Sequence, residues 1–287
     1  GVGAYTEIFK LMNKYGLNLI WPAMHPDGIP KSYDFSERPE NLALADKYGI
    51  TVGTSHCEPM LRNNSVLPGH LHKKWSWNRH RNWMLDYWRE GVRRGSGHNV
   101  MWTIGMRGIC DSGQTDWKTD KQKVKGLQEV FAAQCNMLPK DAPKVFIPYK
   151  EVLPVLKSGL KIPDGTTLMW VNDNYGYIRR LGGPKYAHLP GGIYYHVSYY
   201  GSPHSYIHLC TTPPALLWYE LVAKCWNNGV RDTWMLNVGD VFQAEMLIDC
   251  FGRLAAKPDS WGADAQDVFL HSWAKENFGE KYAERIA

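Results

Sequence analysis

Residues Val100–Cys135 read VMWTIGMRGICDSGQTDWKTDKQKVKGLQEVFAAQC, and they hold one complete copy of the pattern that decides the fold. The apolar run Val100–Arg107 suits a buried strand, and it runs into the polar residues Arg107 and Asp111. Past Lys118, the residues Val124, Leu127, Val130, Phe131 and Cys135 recur at spacings of three and four, as a helix with one buried face requires. A second apolar run, Lys144–Lys150 (KVFIPYK), comes next. Strand, polar strand end, helix and strand in that order make the βαβ unit of an α/β protein.

The same pattern extends in both directions. Candidate strands are Leu17–Met24, Ile50–His56, Val100–Arg107, Lys144–Lys150, Thr167–Asn172, Gly192–Val197 and Asp232–Val238, seven in all. Ser76 or Asn78 is placed to cap a Trp-rich helix ahead of Gly95. Thr211-Thr212-Pro213 opens another helix and Gly229 closes it. A doubly wound sheet is the rival architecture. No G-x-G-x-x-G follows any strand, and polar residues stand at nearly every strand's C-terminal end, which favours a (β/α)8 TIM-type barrel. Seven strands are one short of closure, and GVGAYTEIFKLMNKYG reads as a helix feeding a strand. The expectation is therefore a barrel domain over residues 1–287 whose first strand, with the flanking domains, lies outside this chain.

Composition narrows the function classes. The net charge of +5 is spread along the 287 residues without a basic block, so no nucleic-acid partner is expected. No apolar run reaches the ~18 residues that span a bilayer, so no membrane segment is expected. Cys57, Cys110, Cys135, Cys210, Cys225 and Cys250 are widely spaced and form neither a zinc knuckle nor a disulfide framework. Thirteen Trp and sixteen Tyr offer flat faces for sugar rings, or simply fill a large core. The stretch from Asn63 to Trp77 is a long loop of the kind that often serves function.

The strand ends carry the chemistry. His56-Cys57-Glu58 follows the second visible strand, but H-E-x-x-H is absent and no partner pair completes a metal site. Arg107 and Asp111 follow the third, Lys150 and Glu151 the fourth, and Asp173-Asn174-Tyr175-Gly176 the fifth. Tyr194-Tyr195-His196 closes the sixth, with Tyr199-Tyr200 just after, and Asn237 and Asp240 end the seventh. Together they offer cations, amides, hydroxyls and several carboxylates, an inventory that suits a polyhydroxylated, anionic ligand. Glycosidic hydrolysis needs one carboxylic acid and one carboxylate, and the set contains candidates for both.

The runs LNLIWPAM, ALADKYGITVGTSHCEPM, TIGMRGICD, YKEV, NDNYGYIRRL, GGIYYHVSYYGSP and NVGD, in this order, resemble glycoside hydrolase family 115, the xylan α-1,2-glucuronidases. The resemblance implies a secreted or periplasmic enzyme that uses a (β/α)8 barrel set between other domains. Its substrate would be glucuronoxylan or glucuronoxylo-oligosaccharides, cleaved with inversion, with no cofactor. A homodimer would form through domains outside this chain. By position, Glu151 looks like the general acid and Asp111 the base. Arg107 and Lys150 resemble residues around the uronate carboxylate and the catalytic pair. Asn174, His196 and Asn237 resemble sugar contacts, with His56 and Tyr195 beside them. Three departures stand out: Ile109-Cys110 interrupts the usual MRGDGD, Cys57 replaces a paired histidine, and the family's acidic residue on the first strand has no counterpart here. A glycosidase of other specificity and a non-catalytic carbohydrate-binding remnant are the rival readings. A metal-dependent hydrolase stands behind them.

Overall fold

The computed structural model describes residues 1–23, 35, 38–200, 207–208, 212–239 and 241–287. Met24, Cys210, Thr211 and Asp240, singled out in the sequence, lie outside these. The chain divides into two compact units, Gly1–Leu168 and Met169–Ala287.

The first unit repeats helix and strand. Helix α1 (Val2–Lys14) leads to β1 (Leu19–Ile20), α2 (Pro39–Lys47) to β2 (Thr51–Val52) and α3 (Trp77–Gly95) to β3 (Trp102–Thr103). Helix α4 (Asp120–Cys135) leads to β4 (Lys144–Phe146), and α5 (Leu153–Lys157) to β5 (Thr166–Val171), whose end enters the second unit. β1 pairs with β2, β3 with β4 and β4 with β5, all parallel, and a parallel bridge joins Val52 to Val100. In α4 the buried stripe includes Leu127, Val130 and Phe131, and the Phe131 ring meets Phe146 edge-on at 4.9 Å. Thr119 and Gln122 close a capping box at its start, which satisfies two helix-end amides reciprocally. Ser76, one of the two expected caps of α3, accepts from the Arg79 amide.

The seven expected strands are all present, but several are shorter. The run Val100–Arg107 keeps only two ladder residues because Gly105 leaves the strand at φ +120°. Its N–H and C=O pair with the buried Gln134 side chain of α4, at 2.7 and 2.9 Å, instead of with a neighbouring strand. β4 stops at Phe146, two residues before Pro148, which has no N–H for a ladder.

In the second unit β6 (Gly191–His196) lies parallel to β9 (Thr233–Asn237), with His196 opposite Asn237. An antiparallel pair, β7 (Tyr199–Tyr200) and β8 (Ile207–His208), was not expected from the sequence. Helix α6 (Pro214–Trp218) widens into a π-helical stretch, Tyr219–Cys225, and ends past a 3-10 turn at Gly229, φ +83°. Helices α7 (Glu245–Ala256), α8 (Ala265–Phe278) and α9 (Glu280–Ile286) follow. The fold is α/β with parallel strands. No helix of the described residues is long and apolar enough to cross a membrane.

Candidate active site

In the first unit, the loops after β2, β3 and β4 meet at one guanidinium. Arg107 is 3% exposed. Its Nε and Nη2 donate to the two oxygens of Glu151 at 2.9 and 2.8 Å, a bidentate fork. Nη1 donates to Oδ1 of Asp111, and Nη2 reaches the Asp111 carbonyl at 3.2 Å. One cation therefore joins the two candidate catalytic carboxylates, and all three of its side-chain nitrogens are engaged.

Asp111 is the hub. Its Oδ1 also faces His56 Nε2 at 3.1 Å and accepts from the Cys57 thiol at 3.1 Å, while Oδ2 accepts from Lys150 Nζ at 2.6 Å. Burial opposes its ionised form, but hydrogen bonds from His56, Lys150 and Cys57 and the Arg107 charge outweigh it, so the carboxyl titrates well below the usual range. Burial pushes the Cys57 thiol up, and it remains an S–H donor. Arg107, despite burial, is raised by its bonds to Glu151.

The backbone around the hub is held by residues that sequence reasoning missed. Cys110 and Asp111 both take left-handed φ, +53° and +62°, which favours glycine and costs other residues energy. Asn64, fully buried, offsets that cost. Its Nδ2 donates to the carbonyls of Cys57 (2.9 Å) and Gly108 (3.2 Å), and its Oδ1 accepts from the Cys110 amide (3.1 Å). Trp75 Nε1 adds a 2.7 Å bond to the Arg107 carbonyl. Both come from the long loop 63–77, whose length was the only signal. Glu58 turns back within its own loop, where its Oε2 accepts from Ser55 Oγ at 3.3 Å.

His56, Cys57 and Asp111 present ligand-type atoms within 4.8 Å of one another. The set does not fit a metal, because Asp111 already carries the two cations Arg107 and Lys150. It is a hydrogen-bonded cluster.

His56 gives a pH prediction. Burial lowers its pKa from 6.5, and the bond to Asp111 only partly opposes this. A histidine whose folded pKa lies below its unfolded one contributes fully above the unfolded value, and the contribution is lost as pH falls towards the folded pKa. Asp111, depressed from 3.8, loses its contribution only at lower pH. Urea midpoints should therefore fall more between pH 7 and pH 5 for the wild type than for His56→Asn. Equal falls would remove His56 as the source.

The second unit gathers a different group. Asn172 Oδ1 accepts from the His196 amide at 2.8 Å and from His196 Nδ1 at 2.9 Å, and its Nδ2 donates to the His196 carbonyl at 3.1 Å. An amide oxygen only accepts, so Nδ1 carries the ring proton. The Tyr194 ring lies 4.3 Å from His196, and the Tyr194 hydroxyl accepts from Asn237 Nδ2 at 2.5 Å. Tyr194, His196 and Asn237 thus form one polar cluster at the ends of β6 and β9. Asn174 is half-buried in the loop after β5. That loop is fixed by Asp173, which accepts from the Tyr175 and Tyr177 amides, and by buried Glu220, which accepts from Ile178 at 2.7 Å. Tyr195 departs from the expected sugar contact. It is 0% exposed and its hydroxyl donates to the Gly176 carbonyl at 2.8 Å, because alternation along β6 sends it to the face opposite Tyr194 and His196.

Known proteins share this arrangement of strands and helices. The model of glycosyl hydrolase family 115 matches residues 1–287. Among solved structures, BtGH115A, a family GH115 4-O-methyl-alpha-glucuronidase with specificity for decorated arabinogalactans, is 34% identical with a TM-score of 0.88. The match covers 100% of this chain and 38% of that one, so the chain spans well under half of that protein. PbGH5A, a glycoside hydrolase family 5 enzyme from Prevotella bryantii B14, shares the fold at 8% identity and a TM-score of 0.50, over 87% of this chain and 86% of its own. No curated protein matches.

Proposed function

The chain belongs to glycosyl hydrolase family 115, and from that premise we propose that its protein is an inverting α-glucuronidase. It would remove α-1,2-linked glucuronic or 4-O-methylglucuronic acid side chains from xylan. The observation that carries the reading is the joining of Asp111 and Glu151 by one enclosed Arg107, with an exposed Lys150 beside them.

Inversion takes one displacement. A water attacks the anomeric carbon and gives its proton to Asp111, while the glycosidic C–O bond breaks and the departing oxygen takes a proton from Glu151. Once it has given that proton, Glu151 is the carboxylate that the Arg107 fork holds, so the fork stabilises the state after transfer. Arg107 is assigned here to the protein's own acids, because its nitrogens are engaged with them. Lys150 is assigned to the uronate carboxylate. His196, Asn237 and Asn174 are assigned to sugar hydroxyls. The chemistry uses no cofactor.

The parallel strands are read as part of a (β/α)8 barrel, and the protein as secreted or periplasmic, on the family resemblance. A second reading keeps the sugar and changes the polymer, because BtGH115A is described as specific for decorated arabinogalactans. Incubating the intact protein with glucuronoxylan and with glucuronidated arabinogalactan, and analysing the released sugar by chromatography and its anomer by NMR, tests both. Release of β-glucuronic acid from xylan is expected. Release from arabinogalactan alone would select the second reading, and binding without release would select a carbohydrate-binding role.

A further inference from the structure

Asp111 is hindered as a base by its present partners. Oδ1 receives Arg107, His56 and Cys57, and a carboxylate oxygen offers roughly two lone-pair sites. Only Oδ2 is left for a water, and Lys150 Nζ already takes one of its two sites at 2.6 Å. A carboxylate held this firmly in its ionised form is also a poor proton acceptor, because efficient bases have pKa values near the working pH. Withdrawing a cation from Asp111 would raise its basicity.

We propose that Lys150 is a substrate-operated gate: the uronate carboxylate draws the Lys150 ammonium off Asp111 Oδ2 and so frees the oxygen that takes the proton of the attacking water. This rests on the α-glucuronidase reading above. Of the two cations on Asp111, Arg107 is enclosed and engaged on all sides, whereas Lys150 is 43% exposed on a flexible stem. Lys150 opens the 3-10 turn Lys150–Val152 with φ +48°, so its side chain leaves the backbone directly beside Glu151. The Tyr149 ring lies 5.2 Å from Nζ and offers a face along which the ammonium can move without losing all stabilisation.

The charges agree with the direction of movement. Two anions, Asp111 and the incoming uronate, compete for one ammonium, and Asp111 keeps three other donors after losing it. Among the described residues, the groups facing Asp111 are His56 and Cys57 from the loop after β2, Arg107 from its own loop, Lys150, and Glu151 across the guanidinium. Losing Lys150 and gaining a nearby uronate both favour protonation of Asp111, so its basicity rises when the correct substrate arrives. A neutral sugar leaves the gate shut. Lys150 keeps its three protons throughout, and the only proton received by Asp111 is that of the water.

The test compares an aryl α-glucuronide with the matching α-glucoside, in the intact wild-type protein and in Lys150→Met. In the wild type, the acid limb of kcat should lie at higher pH with the glucuronide than with the glucoside. In Lys150→Met, kcat on the glucoside should rise about tenfold or more as the base becomes permanently open, and the two acid limbs should lie closer together than in the wild type, separated only by the uronate's own charge. A lysine that only binds uronate would raise KM for the glucuronide and leave glucoside kcat and both limbs unchanged, which overturns the gate. Absence of wild-type turnover on the glucuronide would overturn the α-glucuronidase reading instead. A second measurement does not need turnover. The carboxyl carbon of Asp111, followed by NMR, should titrate at higher pH with bound glucuronate than with glucose, and no difference would defeat the gate.

Discussion

Glu151→Gln in the intact protein is expected to lose ~10²–10⁴-fold in release of glucuronic acid from xylan, the usual cost of deleting a general acid. An amide keeps the shape of the side chain but has no transferable proton, so sugar binding should persist. The structure adds a complication that can be measured. Arg107 reaches both Glu151 oxygens, and the substituted amide offers an acceptor to only one of these bonds and a second donor against the other. A loss of stability of about 1–2 kcal/mol should accompany the variant, so affinity must be read well below its melting temperature. An aryl glucuronide with a good leaving group needs little protonation and should be partly spared. Equal loss on xylan and on the aryl substrate would argue that the new amide has merely displaced Arg107.

The elements were legible because each combines an apolar run, a polar end and a helical period, and these are local properties. Their extents were not. Nothing in VMWTIGMR shows that Gly105 turns to φ +120° and trades its ladder bonds for Gln134, since that exchange depends on a helix 29 residues away. The hairpin β7–β8 and the π-helical stretch carrying Glu220 have no period to find. At the site, the common place of Arg107 and Asp111 after one strand was readable, whereas the fork from Arg107 to Glu151 spans 44 positions and was not. Asn64 and Trp75 escaped because a buried amide and an indole look like ordinary loop residues until the carbonyls they serve are placed. Tyr195 is the opposite case. Strand alternation already separated it from Tyr194 and His196, and the resemblance overrode that signal.

Arg107→Ala should depress kcat on the glucuronide and on the neutral glucoside by a similar factor, and should lower stability by ~3 kcal/mol, the low end for breaking a buried ion pair. The low end applies because the carboxylates it serves are 29% and 28% exposed, so water can replace part of what is lost. The sequence-based expectation differs: an Arg107 that clamps the uronate would, once removed, cost preference for the charged substrate alone. A guanidinium with one nitrogen on Asp111 and two on Glu151 has no free fork for a third carboxylate. Removing it releases the acid and the base together, which misplaces the machinery whatever sugar is bound. Arg107→Lys separates charge from geometry. A lysine restores one positive charge but makes no planar fork to Glu151, so it should recover part of the stability and little of the turnover. Measuring kcat/KM on the two substrates and the unfolding midpoint for both variants decides the assignment. A selective loss on the glucuronide, with stability unchanged, would return Arg107 to the uronate and defeat its role as the link between Asp111 and Glu151.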